Sequence, residues 1–178
     1  MSMYSDNSLL PKETIRLAAL GMLSDGSKTY GELANEIRHF ISRIAGPSLE
    51  LMGTSIELLR YEGLIAFEGE GEDALLSNTD AGRTELCELL LAAIRPPFND
   101  LNKLAMSLKI RFLHLLEPDG RRDQADMMID ASQSEVARLK DLQKSQDGDR
   151  GYFDDWLDHD ISLAKSRLTW LEEFRARL

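Results

Sequence analysis

Between Ile15 and Leu59 the apolar positions recur every three or four residues in three short runs, each bounded by turn-forming residues, and this spacing predicts three helices in succession. The first opens at Pro11, where a proline is tolerated, and carries Ile15, Ala18, Ala19, Met22 and Leu23 on one stripe. The cluster Ser24-Asp25-Gly26-Ser27 ends it. Thr29 stands three residues before Glu32, the spacing of a capping box, so a second helix is predicted to start there. Leu33, Ile37, Phe40, Ile41 and Ile44 share its inner face, and Gly46-Pro47 stops it. Ser48 is placed to cap a third helix, with Leu51, Met52, Ile56 and Leu59 pointing inward and Gly63 as its left-handed terminal residue.

After Gly63 the period shortens. Residues 64–67 and 74–77 read as two strands, joined by the acidic, Gly-rich tip 68–73. Three helices with tight turns followed by such a hairpin predict a winged helix-turn-helix. A further helix is expected over 85–94, and Arg95-Pro96-Pro97 breaks it. The resulting division is a flexible arm (1–10), a winged-helix DNA-binding domain (11–95) and a C-terminal helical dimerisation domain (96–178). The predicted fold class is mainly α with a small β-hairpin wing. In the C-terminal part, one helix is expected from Phe98 to Leu116, closed by Pro118-Asp119-Gly120, and a polar-faced one over 124–143, ending in the break at 147–151. In the last helix Phe153, Leu157, Ile161, Ala164, Leu168 and Leu171 follow a heptad-like repeat, widened by Trp170 and Phe174. Such a seam is covered either by its own chain or by a second copy, and its place at the C-terminus favours the second copy.

Composition narrows the function. With 178 residues, 43% of them hydrophobic, the chain is long enough for one compact domain or two small ones. No apolar run approaches a membrane span, and the start lacks the pattern of a secretory signal, so a cytoplasmic protein without membrane contact is expected. The net charge of −10 argues against a protein that coats nucleic acid, but leaves room for a local contact surface. Cys87 is the single cysteine, which excludes an internal disulfide, and its leucine neighbours mark it as a small hydrophobe. Asp155 and His159 have i, i+4 geometry, yet in a run that also holds Asp154, Asp158 and Asp160 they read as a solvated face, not a metal site. His39 and His114 stand alone, no nucleophile is paired with a base, and Gly69-Glu70-Gly71 lacks the lysine of a phosphate loop. Neither an enzyme nor a cofactor is expected.

Thr29-Tyr30-Gly31-Glu32-Leu33, Leu59-Arg60-Tyr61-Glu62-Gly63-Leu64-Ile65 and Thr79-Asp80-Ala81-Gly82-Arg83, in that order, resemble the PadR-type winged-helix transcriptional regulators, in particular the AphA-like branch. The resemblance implies a homodimer on a double-stranded DNA operator, with the C-terminal helices as the dimerisation element. Placed on a winged helix, Ser48, Thr54, Ser55 and Tyr30 are the candidates for reading bases, and Lys28, Arg38, Arg43 and Arg60 for holding phosphates. Phe153, Leu157, Ile161, Leu168 and Leu171 are the candidate dimer contacts. Against this stands the wing tip, whose Glu68, Glu70, Glu72 and Asp73 would repel a phosphate backbone. The alternative is therefore a winged-helix interaction module that has lost DNA binding and meets a basic protein. An unidentified small-molecule effector among the C-terminal helices is compatible with the sequence, which does not itself show one.

Overall fold

The computed structural model describes residues 9–46, 55–94, 99–145 and 151–178. Helix α1 (Pro11–Ser24) is the centre of the molecule. The sequence predicts one apolar stripe on it, but Leu17 and Leu20 are as fully buried as Ile15 and Met22. The physical reason is its surroundings: α2 (Tyr30–Ile44), α3 (Ser55–Tyr61), α4 (Asp80–Leu91) and α5 (Asp100–Phe112) all pack on it. Leu9, just before α1, is buried too, so the arm expected over residues 1–10 is anchored at this point.

The capping box forms as predicted. The Thr29 amide donates to Glu32 at 2.8 Å, and the Thr29 hydroxyl accepts from the Glu32 amide. That amide bond is the main cause holding the Glu32 carboxyl below the usual range. The residues before Thr29 do more than turn: β1 (Lys28–Thr29) pairs antiparallel with β3 (Leu75–Asn78), which also pairs with β2 (Ile65–Glu68). The wing is thus a three-stranded sheet of order β1-β3-β2, one strand more than the hairpin expected.

The step from wing to α4 explains the Thr-Asp-Ala-Gly run. The Thr79 hydroxyl accepts from the Gly82 amide at 3.0 Å, capping α4, while it donates to the Gly63 carbonyl at 2.7 Å. A side chain at Gly82 would put its Cβ 2.0 Å from the Leu64 carbonyl oxygen, so only glycine fits. Asn78 also ties the wing inward, donating to the Leu20 carbonyl of α1 at 2.8 Å.

Beyond the predicted boundary, α5 contributes Leu104, Leu108 and Phe112 to the core built on α1. Phe112 lies where a Cβ on Gly21 would be, 2.3 Å from its ring. The next helix begins earlier than predicted. Pro118-Asp119-Gly120 does not close α5 but opens α6 (Pro118–Ser145), because a proline at a first helical position has no amide to lose. The last helix, α7 (Phe153–Arg175), runs back along α6. Their antiparallel register is marked by Gln143 with Asp158, Glu135 with Arg167, and Asp126 with Arg175.

Candidate nucleic-acid interface

The expected DNA-facing residues come from β1, α2, α3 and the wing, and the structure treats them unequally. Ser48 and Thr54 lie outside the described residues, and Ser55 is the first residue of α3 as described. Arg38 and Arg43 are exposed on α2, and Arg38 donates to Asn35 at 2.9 Å. Lys28 is already engaged: its ammonium is 3.2 Å from Glu36, and its side chain is only 22% exposed. Glu36 also receives Arg111 of α5 at 2.8 Å. Tyr30 is half-buried against the main core. The Arg60 guanidinium lies over the Phe67 ring, 4.4 Å from its centroid, which joins α3 to the wing.

Between these elements runs an open groove of about 850 Å³, walled by Tyr30, Glu57, Arg60 and Phe67 and by the wing tip. Glu68, Glu70, Glu72 and Asp73 are all exposed there. The groove is therefore aromatic at its base and negative at its rim, with Arg60 as the cation among its described lining. Two residues outside the candidate contact set stand on the outer α3 face: Leu58 is 45% exposed and Tyr61 90%. Their signal was present in the spacing, since Ile56 and Leu59 take the inner face and leave Leu58 and Tyr61 outside.

The candidate dimer contacts on α7 take unequal places in the single chain. Leu157, Ile161 and Leu171 are buried within the single chain, and Phe153 and Leu168 are half-buried. The seam is covered by α6 of the same chain because the antiparallel pairing places α6's apolar residues on it; Leu171 packs with Met128, Met106 and Ile94. What α7 leaves outside is a second stripe, Trp156, Leu163 and Trp170, at seven-residue intervals and 53%, 52% and 44% exposed. Asp155 and His159 are exposed on the same helix, and Cys87 is half-buried against the main core. Among the described residues no helix is long and apolar enough to cross a membrane.

Three helices, a capped turn and a sheet locked to α4 define a winged helix-turn-helix protein with an appended helical hairpin. A family model described as "Putative AphA-like transcriptional regulator" matches residues 4–175, nearly the whole chain. The chain belongs to this AphA-like family of transcriptional regulators. Its fold is also similar to that of Bacillus subtilis PadR in complex with operator DNA, at 18% identity over 92% of this chain and 98% of that one, with a TM-score of 0.41. Bacillus subtilis PadR in complex with p-coumaric acid is similar at 18% identity over 96% and 98%, with a TM-score of 0.38. The protein smu.1604c from Streptococcus mutans UA159 is similar at 19% identity over 92% and 98%, with a TM-score of 0.39. No curated protein matches the chain significantly.

Proposed function

We propose that this chain is a dimeric, sequence-specific DNA-binding transcriptional regulator of the cytoplasm, and that it binds its operator with modest strength. The observation that carries this reading is the family match over a winged helix whose α2 presents Arg38 and Arg43 on an exposed face. These two, with Arg60, are the cations offered to phosphates; Lys28 joins them only by leaving Glu36. Ser48, Thr54, Ser55 and Tyr30 remain the candidates for base contacts. The dimer forms through the stripe of Trp156, Leu163 and Trp170, flanked by Phe153, which stacks on Trp156 at 5.5 Å. A small-molecule effector acting among the C-terminal helices belongs to the same reading.

The test is a salt titration of binding to duplex DNA from upstream of the protein's own operon. Three phosphate contacts per protomer from Arg38, Arg43 and Arg60, six in a dimer, give a slope of about −5 in log K against log salt. Arg43→Ala is expected to lower that slope by about 2 units in a dimer, without changing the preferred sequence. Absence of binding at low salt sinks the reading. The acidic rim of the groove supports the second reading, a basic protein as partner, and capture of such a partner that is lost on neutralising Glu70 and Glu72 would favour it.

A further inference from the structure

Where β1, α2 and α5 adjoin, one carboxylate joins two cations. Glu36 of α2 accepts from the Lys28 ammonium through Oε2 at 3.2 Å and from the Arg111 guanidinium through Oε1 at 2.8 Å. Arg111 is held from several sides. Its guanidinium lies over the rings of Phe40 and Phe112, 5.3 Å and 5.2 Å from their centroids, and 3.6 Å from the carboxylate of Asp25 at the end of α1. Lys28 is held differently. Strand β1 fixes its backbone opposite Leu76 of β3, but its ammonium ends a flexible four-carbon stem and meets Glu36 there. Glu32, one turn earlier on α2, also feels its charge.

This arrangement decides what an approaching anion finds. A phosphate that reaches for Lys28 has to displace Glu36 from the ammonium, and the carboxylate, tied by its other oxygen to Arg111, stays close and repels the newcomer. The exchange is nevertheless open, because Glu36 keeps Arg111 when Lys28 leaves and no carboxylate is stranded. Lys28 therefore sits in the reading head while its charge is largely spent within the chain.

We propose that Glu36 attenuates DNA binding by withholding Lys28 from the phosphate backbone. The proposal rests on the DNA-binding reading above and deepens it. It assigns part of the modest affinity to one carboxylate between α2 and α5, separate from the acidic wing tip. Glu36 reads no base; it sets how many phosphates the head can hold.

The test uses Glu36→Gln in the full chain, which keeps the side-chain shape and an acceptor oxygen for Arg111 while freeing Lys28. Asp130→Asn, which neutralises an exposed acid on α6, is the control for net charge. Binding to a random-sequence duplex is followed by fluorescence anisotropy from about 50 to about 200 mM salt. Glu36→Gln is expected to steepen the salt slope by about 1 per protomer, and Asp130→Asn to leave it unchanged. Lys28→Gln is expected to leave the wild-type slope unchanged, yet to abolish the whole gain in the Glu36→Gln background. A Glu36→Gln slope equal to that of the wild type overturns the proposal and leaves the DNA-binding reading intact. A gain that survives Lys28→Gln overturns it also, since its source is then not the freed lysine. Binding by Glu36→Gln alone, lost again with Lys28→Gln, supports the proposal and removes wild-type binding from the reading. Binding by neither chain overturns both.

Discussion

The body around α1 and the hairpin of α6 and α7 bury apolar residues in different ways. Leu17, Leu20 and Met22 of α1 are enclosed on every side, by helices from both halves of the sequence and by the sheet. The hairpin is two layers thick: Leu157, Ile161 and Leu171 face α6, while Trp156, Leu163 and Trp170 of the same helix face outward. A central helix whose partners surround it has no face left for anything else. A two-layer hairpin keeps a second apolar face, here two tryptophans and a leucine on one line.

The contrast can be broken by substitution. Leu20→Ala is expected to cost about 3–5 kcal/mol in urea unfolding, because the rigid surroundings of α1 cannot close the cavity. Leu171→Ala is expected to cost less, about 2–3 kcal/mol, since its neighbours Met106 and Met128 are flexible and refill the space. Equal costs would mean that the two cores are alike. On the outer face, Trp156→Glu with Trp170→Glu is expected to change the stability of the single chain by less than about 0.5 kcal/mol while converting the dimer to monomer in sedimentation. A wild-type chain that sediments as a monomer would remove the dimer from the picture.

The smallest effect lies in the ion pairs that line the hairpin. Arg175 holds the Asp126 carboxyl below its ordinary value, chiefly through the hydrogen bond between them. A depressed carboxylate contributes stability that is present above its unfolded value and is lost as pH falls through the folded one. The pair is exposed and screened, so only a small thermal midpoint difference between wild type and Asp126→Asn is expected at neutral pH, vanishing in acid. A difference that persists in acid would show that the pair is not its source.

Local signals were the legible ones. The box of Thr29 and Glu32, the glycine after α3 and the change of period at the wing involve neighbours in the chain, and each formed close to its predicted place. Where the partner is distant, the pattern leaves its identity open. The periodicity of α7 identifies which face is buried but not what buries it, and in the single chain α6 packs on that face. Pro118 reads equally as an end or a beginning, and only the chain after it decides. The bridge at Glu36 was invisible because its two cations stand far apart in the chain; only the fold brings Lys28 and Arg111 to one carboxylate.

The junction of Thr79 and Gly82 with Gly63 and Leu64 has a consequence for how such a protein can change. It fixes the root of the wing to α3 and α4 through backbone contacts that admit no other residue at position 82. The tip over 68–73 takes no part in that junction and is exposed. Root and tip are therefore separable modules: the root behaves as a socket, and the tip as an exchangeable cassette whose charge can be rewritten without retuning the frame. An acidic tip can thus sit on this root without disturbing the frame that holds it.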